Sequence, residues 1–447
     1  MSALDRGADA GAEAPPVALY VHVPFCVSHC PYCDFVVVSG REARGPANRI
    51  GAFVEALEVE LGLRADALDA RWGRPGAPIA PGEAALIMTA PGAGPGAQTD
   101  AASHPARRRA LDSLYIGGGT PSLVPPAAIA RLIGLVRGRF GLAPDAEVTL
   151  EVNPGPDERG DADAFRAAGV TRLSIGAQSL DASQLRALGR RHAPADVVAT
   201  VAAARAAGIH SLSLDLLYDI PGSSIETWAR TLDAALGLEP DHLSLYALTL
   251  DDPDADGLTG SSGDHLPVRP GARRWRERAR PAQDDDRAAA MYELADVRLA
   301  TAGFAWYEIS NWARPGHRSR HNLAYWRHLS YEAIGPGAHA FDGRTRRWNA
   351  ARLDAYLAAL MPRLGEAPRL PRGGSETPDP GGSGCEAAIL ALRTSDGVPV
   401  GALDDPRFAE PLAWALEARL LEHRPGHRLA LTRRGRLLSN ELFARLV

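Results

Sequence analysis

Short apolar runs alternate with alanine-rich stretches through the first 250 residues of the chain. The apolar runs are four to seven residues long and rich in Val, Ile and Leu, which predicts strands, and the stretches between them predict helices. The alternation favours an α/β fold whose parallel strands are joined by helical crossovers. The predicted strands are Val17–Val23, Ser113–Ile116, Glu147–Val152, Arg172–Ile175, Ser211–Leu217 and His242–Ala247, and the predicted helices lie near Ala47–Leu68, Pro126–Phe140, Ala162–Ala168, Pro194–Ala207 and Ile225–Leu236.

Six strand–helix units suit either a doubly wound sheet or a partial barrel. A complete barrel of this type needs about eight units, and the pattern supplies no clear further two. We therefore place the core of the fold in residues 16–250.

The remaining segments differ in composition. Residues 1–15 are acidic and rich in Ala and Gly, which predicts a disordered N-terminus. Glycine, proline and alternating charge predict flexible segments at 71–109 and 251–286. The Pro-, Gly- and Ser-rich stretch 362–385 predicts a linker between the region 251–361 and a small, mainly helical C-terminal domain at 386–447.

Overall composition indicates an ordinary globular chain. Of the 447 residues, 45% are hydrophobic and 23% are charged, which excludes a disordered or fibrous protein. The net charge is only −5, so bulk charge predicts no nucleic-acid partner. The sequence contains neither an apolar run of about 18 residues nor the basic start of a secretory signal, and we expect a cytoplasmic protein.

Three of the four cysteines fall within eight residues, directly after the first predicted strand. Cys26, Cys30 and Cys33 have the spacing of a loop that folds back over one metal centre, and such clusters in reducing compartments bind metals. An iron–sulfur cluster with one iron left open to an external ligand fits three local thiolates best. Structural zinc, with His22 or His29 as the fourth ligand, and buried free thiols are the alternatives. The fourth cysteine, Cys385, lies in the predicted linker and is expected to bind no metal.

Polar residues follow the carboxyl ends of successive predicted strands, which is the edge where α/β enzymes build their sites. A glycine turn, Gly117–Pro121, ends the second strand and can bring backbone N–H groups close to a ligand. Glu151, Gln178 and Asp215 lie at the ends of the next three strands, and Arg190 and Arg191 follow shortly after Gln178. Each of these residues taken singly also fits a helix cap or a surface position.

The cysteine spacing after a first strand resembles the radical S-adenosylmethionine (SAM) superfamily. The run Tyr20–Cys26 is similar to the start of the oxygen-independent coproporphyrinogen oxidase group. The resemblance covers nearly the whole chain outside the two flexible segments and the linker, and it implies a partial (β/α)6 barrel. It also implies a 4Fe–4S cluster on Cys26, Cys30 and Cys33, with SAM on the fourth iron.

The same resemblance assigns a set of residues to SAM. A carboxylate suits the amino group or ribose hydroxyls of SAM and an arginine suits its carboxylate, although sequence alone barely separates Arg190 from Arg191. The chain departs from the family at Asp219, where the family usually has glycine. If the backbone has a positive φ at this position, aspartate tolerates it better than most residues, at some cost. The residues that match the SAM-binding positions are Tyr20, Tyr32, Gly118, Gly119, Thr120, Glu151, Gln178, Arg190 and Asp215.

Within this group the chain resembles HemW-type heme chaperones more than coproporphyrinogen dehydrogenases. The dehydrogenases carry a further cysteine two residues after the third ligand, where this chain has Phe35. The run Ser319–Trp326 contains the His-Asn-x-x-Tyr motif associated with heme in HemW-type proteins, here His321, Asn322 and Tyr325. Another radical SAM transferase is a weaker alternative.

The heme motif also has a chemical interpretation. A neutral imidazole at His321 suits iron, and Tyr325 falls on the same helical face. Four arginines near the motif are candidates to pair with heme propionates, and the alternative is a polar loop whose histidine bonds to backbone. The run Leu431–Asn440 resembles the family's C-terminal domain, and its charged face is expected to be solvated. The four arginines are Arg314, Arg318, Arg320 and Arg327.

The resemblance therefore implies a heme chaperone that binds heme, a 4Fe–4S cluster and SAM. Its partner would be an acceptor hemoprotein, for example a membrane-bound respiratory one, and the chaperone itself could be a homodimer. The alternative function is coproporphyrinogen III dehydrogenase, a radical SAM enzyme of porphyrin biosynthesis.

Overall fold

Parallel strands form the centre of the protein. The computed structural model describes residues 12–76, 107–260 and 263–447. Within these ranges one sheet has the strand order β14-β13-β12-β11-β1-β4-β5-β6-β7-β8-β10-β9, and the seven strands from β11 to β8 are parallel. The strands are β1 (Ala18–Val23), β2 (Phe25–Cys26), β3 (Val38–Ser39), β4 (Leu111–Gly118), β5 (Leu142–Val152), β6 (Arg172–Gln178), β7 (Ser211–Tyr218), β8 (His242–Ala247), β9 (Ala305–Glu308), β10 (Asn311–Ala313), β11 (Tyr331–Ile334), β12 (His339–Phe341), β13 (Arg346–Asn349), β14 (Arg372–Glu376), β15 (Val398–Pro399), β16 (Leu421–Arg424) and β17 (Arg428–Leu431).

Helices connect the parallel strands, as the alternation in the sequence predicts. The helices are α1 (Ile50–Trp72), α2 (Pro126–Arg139), α3 (Ala162–Ala168), α4 (Ala182–Ala187), α5 (Pro194–Ala206), α6 (Ile225–Leu236), α7 (Pro270–Ala279), α8 (Asp285–Thr301), α9 (Arg320–Trp326), α10 (Leu353–Leu360), α11 (Pro380–Leu392), α12 (Ala409–Glu417), α13 (Arg433–Leu437) and α14 (Ser439–Leu446). Among the described residues, no helix is both long enough and apolar enough to cross a membrane.

The predicted fold class is confirmed, and the sheet is open rather than a closed barrel. All six predicted strands are present, as β1 and β4 to β8, and all five predicted helices are present. The parallel strand β11, which lies beside β1, has no counterpart in the prediction. It is only four residues long, so its apolar signal is short.

The segments outside the core differ from their predictions. The expected linker contains the strand β14 and the start of α11, because Asp379 caps that helix by accepting a hydrogen bond of 2.7 Å from the Gly382 N–H. Local capping thus outweighs the glycine content. The C-terminal region adds a three-stranded sheet, β15-β17-β16, to its helices. Residues 1–11 and 77–106, which contain most of the expected disordered N-terminus and of the first expected flexible insertion, lie outside the described residues.

A buried polar network joins α1 to the segments that surround β1. The Glu60 side chain is fully buried and accepts hydrogen bonds from Asn349 Nδ2 at 2.8 Å, Tyr356 Oη at 2.7 Å and the Gly335 N–H at 2.9 Å. Arg64 lies 3.3 Å from the same carboxylate. Gly335 has φ +102°, and a Cβ there would lie 2.3 Å from the His22 carbonyl oxygen. The network therefore holds a glycine turn against the end of β1.

We predict that Glu60→Ala lowers the free energy of unfolding by about 3–5 kcal/mol, because it removes the anionic partner of the buried Arg64 charge. Chemical denaturation followed by circular dichroism measures the change. Glu58→Ala in the same helix is the control, since Glu58 pairs with Arg131 at the surface and its loss should cost about 0–1 kcal/mol. Equal, small effects of the two substitutions would contradict this account of the network.

Candidate functional site

The three clustered cysteines line one large cavity that extends along the parallel strands, from their carboxyl ends to Arg172 and His242 at the starts of β6 and β8. The cavity has a volume of about 1120 Å³. Cys26 ends β2, and Cys30 and Cys33 belong to the loop that follows. The short parallel pairing of Phe25 with Val38 closes this loop at its base.

A buried arginine from the second predicted flexible segment holds the cysteine loop in place. Arg276 of α7 donates hydrogen bonds to the carbonyl oxygens of Pro31 at 3.0 Å and Cys33 at 3.2 Å. It also forms an ion pair with Asp34. The composition of residues 251–286 did not predict this role. The segment contains several arginines, and only the folded structure shows that Arg276 is buried.

The three clustered cysteines are half-buried, and two of their thiols accept hydrogen bonds from polar neighbours. Cys26 Sγ accepts a hydrogen bond from Thr120 Oγ1, and Cys30 Sγ accepts one from Arg190, both at 3.5 Å. Burial raises the pKa of Cys26 to about 12 and raises the pKa of Cys33 well above its usual value. A bound iron–sulfur cluster would stabilise the thiolate form of these two cysteines.

Of the two histidines that the sequence offers as a fourth zinc ligand, one bonds to other groups and the other does not line the thiol cavity. A zinc ion requires all its ligands within about 2.3 Å of one point. In the described part of the chain, no group of three or more His, Cys, Asp or Glu side chains is arranged to hold a metal ion. His22 is also occupied, since its Nε2 lies 2.8 Å from the Val36 carbonyl oxygen and its Nδ1 lies 3.0 Å from Tyr20 Oη. His29 does not line the cavity that holds the three thiols.

A tight turn places the glycines directly beside the cysteine loop. The Gly119 N–H donates to the Val23 carbonyl at 2.8 Å, and the Thr120 N–H donates to the Phe25 carbonyl at 2.7 Å. Gly118 has φ +112°, and a Cβ there would lie 2.6 Å from the His22 ring. A Cβ on Gly119 would lie 2.7 Å from the Phe25 carbonyl oxygen. Only glycine allows this close approach.

Two half-buried carboxylates face the cavity from β5 and β7. Glu151 accepts hydrogen bonds of 2.8 Å from Tyr115 Oη and from the Gly118 N–H, and burial raises its pKa to about 7. Asp215 accepts hydrogen bonds from Ser174 at 2.8 Å and Ser213 at 3.1 Å, and burial raises its pKa as well. Both carboxylates are thus preorganised acceptors for a ligand with N–H or O–H groups.

Arg190 faces the cavity and Arg191 does not. Arg190 donates to the Asn153 side chain and to the Gly176 carbonyl oxygen, and it lines the cavity, whereas Arg191 is exposed. Asn153 in turn donates to Thr120 at 3.0 Å. A chain of hydrogen bonds therefore runs from Arg190 through Asn153 and Thr120 to Cys26.

The structure brings together most of the residues that match SAM-binding positions. Tyr20 and Thr120 do not line the cavity; they contact His22 and Cys26 from behind its wall. The seven that line it are Tyr32, Gly118, Gly119, Glu151, Gln178, Arg190 and Asp215.

Asp219, which stands where the family usually has glycine, has a positive φ. Its φ is +55°, and its carboxylate accepts from Arg287 Nε at 2.7 Å and from the Asp284 N–H at 3.2 Å. The aspartate thus replaces glycine at a strained position and anchors the start of α8 in return.

The histidine of the heme motif is buried and fully engaged. His321 Nδ1 lies 3.0 Å from Ser113 Oγ, and its Nε2 lies 2.7 Å from Tyr325 Oη. Burial lowers the pKa of His321 to about 3, so the ring is neutral. Neither ring nitrogen is free for an iron atom in this arrangement, and of the motif only Asn322 lines the cavity.

The four arginines near the motif bind other groups. Arg318 and Arg327 both pair with Asp396, at 3.3 and 3.1 Å. Arg320 pairs with Asp145, and Arg314 donates to the Pro240 carbonyl oxygen. None of the four lines the cavity.

The C-terminal run contributes to the cavity, which the sequence pattern did not predict. Arg436 is buried, forms two hydrogen bonds with Asp296 and lines the cavity, so the expectation of a wholly solvated charged face was wrong. Cys385 is a free cysteine inside α11 rather than in a linker. It is buried in the core of the C-terminal unit, by which we mean the elements from α11 to α14.

Comparison with known proteins identifies the family. The family pattern of the Radical SAM superfamily matches residues 101–235. The heme chaperone HemW of Mycobacterium tuberculosis is 36% identical over 432 residues, which cover 97% of this chain and 95% of the relative. HemW of Escherichia coli is 34% identical over 344 residues, covering 76% of this chain and 75% of the relative.

A solved structure has the same fold. Coproporphyrinogen III oxidase (HemN) of Escherichia coli, a radical SAM enzyme, superimposes with a TM-score of 0.70 at 22% identity, covering 97% of this chain and 90% of that one. At this identity the likeness establishes the fold alone. On the sequence relationship to its curated relatives, the chain belongs to the HemW family of radical SAM proteins.

Proposed function

We propose that this protein is a heme chaperone that binds a 4Fe–4S cluster, SAM and heme and delivers heme to an acceptor hemoprotein. The observation that carries the proposal is the single cavity that contains both the cysteine triad and further unfilled space. Pockets for one small ligand have volumes of about 300–1,000 Å³. A cavity of about 1120 Å³ leaves room for a second ligand beside SAM.

The residues at the cysteine end of the cavity fit the cluster and SAM. Cys26, Cys30 and Cys33 would hold three irons and leave the fourth for SAM. When bound and reduced, the cluster supplies one electron to the SAM sulfonium. Glu151 and Asp215 would accept hydrogen bonds from SAM, and Arg190 would orient its carboxylate.

The heme motif supports the proposal by shaping the cavity wall, and it does not present a free side chain to bind iron. His321 bonds to Ser113 and Tyr325 and so fixes α9 against β4. Asn322 of the same helix then faces the cavity. We infer that the motif builds part of the cavity wall that heme would contact.

The proposal extends to surroundings and partners. Three thiols available to iron suit a reducing compartment, and we place the protein in the cytoplasm. The acceptor would be a hemoprotein, for example a membrane-bound respiratory one, and a homodimer is the oligomeric state we propose to test first.

The cluster prediction concerns iron content. We expect about four irons and four sulfides per chain after anaerobic reconstitution. Alanine at Cys26, Cys30 or Cys33 should abolish iron retention, because two thiolates do not hold the cluster. The matched control is Cys385→Ala, which should retain the full content, as measured by elemental and sulfide analysis. Stoichiometric zinc without sulfide in the native protein would refute the assignment.

The SAM prediction uses the half-buried carboxylates. Glu151→Gln and Asp215→Asn should weaken SAM binding roughly 10- to 150-fold, the value of a lost hydrogen bond to a charged group, while the cluster absorption persists. Because burial raises the pKa of Glu151 to about 7, its carboxyl group is protonated and neutral below that pH. SAM affinity should therefore rise with pH through about 7 in the native protein, and Glu151→Gln should remove the rise that is centred near pH 7.

Isothermal titration of the reconstituted protein measures both effects. Asp66→Asn is the control, since Asp66 is an exposed partner of Arg139 far from the cavity lining. Unchanged SAM affinity in both cavity variants would remove these carboxylates from the SAM site.

Heme binding and porphyrinogen conversion together distinguish the chaperone function from the dehydrogenase function. Phe35 occupies the position of the extra cysteine, is 60% exposed and lines the cavity near the triad. We expect hemin to bind at about one per chain, and coproporphyrinogen III to remain unconverted with reduced cluster and SAM present. Heme titration and chromatography of the porphyrins measure the two outcomes. Decarboxylated porphyrinogen without saturable heme binding would establish the dehydrogenase instead.

A further inference from the structure

The side of the cavity that the C-terminal unit closes has a composition unlike the cysteine end. The turn between β9 and β10 contributes Ile309 and Ser310, and the C-terminal unit contributes Arg393, Arg436 and Leu438. We call these five residues the C-terminal side of the cavity. They contain two guanidinium groups and two aliphatic side chains.

Apolar side chains are left exposed within this cavity. Tyr246, at the end of β8, is 42% exposed, and Leu438 is 40% exposed, and both line the cavity. Large apolar side chains exposed in a concave site are typical of ligand-contacting walls. The pair therefore fits a ligand with an extended apolar surface.

Arg436 is a buried cation with an unused donor. Its side chain is only 7% exposed and forms hydrogen bonds of 3.0 and 2.8 Å with the two oxygens of Asp296. Arg433 binds the same carboxylate at 2.6 Å, so two cations share one anion. The Arg436 guanidinium also lies 4.4 Å from the Trp306 ring centroid, and its Nε has no hydrogen-bond partner.

Arg393 repeats this arrangement on another tryptophan. Its guanidinium lies 4.4 Å from the Trp326 ring centroid and 3.6 Å from Glu308, which is longer than a hydrogen bond. Arg393 Nε and Glu308 Oε2 both lack hydrogen-bond partners. Both arginines are therefore fixed in place while part of their hydrogen-bonding capacity is unfilled.

Net charge alone does not select the ligand. Asp285, Asp286 and Glu441 also line the cavity. The selection comes from the position of the donors, because planar guanidinium groups held on tryptophan rings match carboxylates well.

We propose that the C-terminal side of the cavity binds a flat, dicarboxylic macrocycle, with one carboxylate on Arg393, the other on Arg436, and the ring against Tyr246 and Leu438. This inference rests on the proposed heme function and assigns the propionates to arginines far in sequence from the His321 motif. His242 also lines the cavity, but its nitrogens lie 2.8 Å from Ser213 Oγ and from Tyr307 Oη. Recognition is therefore through the edge and face of the macrocycle.

The test compares hemin with hemin dimethyl ester, in which both carboxylates are masked. In the native protein the ester should bind at least tenfold more weakly. Arg393→Gln should weaken hemin binding roughly 10- to 150-fold and reduce the difference between acid and ester. Arg407→Gln is the control, since Arg407 pairs with Asp405 at the surface of the same unit. The 4Fe–4S absorption and circular dichroism spectrum of each variant verify that it is folded.

A second variant tests the apolar wall independently of charge pairing. Leu438→Asp should weaken both hemin and its ester, whereas Leu364→Asp, at a fully exposed position outside the cavity, should change neither. Equal affinity of native protein for acid and ester, or unchanged hemin affinity in Arg393→Gln, would overturn the assignment while leaving heme binding intact. Absence of saturable hemin binding to the native protein would instead overturn the proposed function.

Discussion

The contact between the glycine turn after β4 and the cysteine loop after β1 positions everything else in the site. Two backbone hydrogen bonds, from Gly119 to Val23 and from Thr120 to Phe25, join the two segments. Backbone atoms approach so closely there that a Cβ on Gly119 would collide with the Phe25 carbonyl. The loop that carries Cys26 therefore has its position fixed by the sheet, through the parallel pairing of β1 with β4.

Charged side chains complete what the backbone begins. Arg276 fixes the loop from outside through the Pro31 and Cys33 carbonyls, and Arg190 reaches Cys30 from inside the cavity. The chain of hydrogen bonds through Asn153 and Thr120 connects the two cysteine neighbourhoods. Such preorganisation matters for a metal site, because the protein then holds the three thiols in place before a metal binds.

The C-terminal unit forms part of the wall of the cavity. Arg436 ties this unit to α8 through Asp296, and the stacking of Arg393 on Trp326 ties it to α9. These contacts place cationic and apolar groups across the cavity from the cysteine triad. One cavity thus offers two chemically distinct ends, which suits the proposed binding of a second ligand beside SAM.

The sequence by itself determined the α/β core and the cysteine triad. Strand periodicity and local spacing are short-range properties, so β1, β4 to β8 and the positions of Cys26, Cys30 and Cys33 could be predicted directly. The choice between Arg190 and Arg191, and the burial of His321 with both nitrogens engaged, were decided only by the tertiary structure. These outcomes depend on which side chain faces the interior after distant segments pack. For the same reason, Arg276, Arg393 and Arg436 resembled ordinary surface arginines in the sequence, and packing against the cysteine loop, Trp326 and Asp296 gave them their places around the cavity.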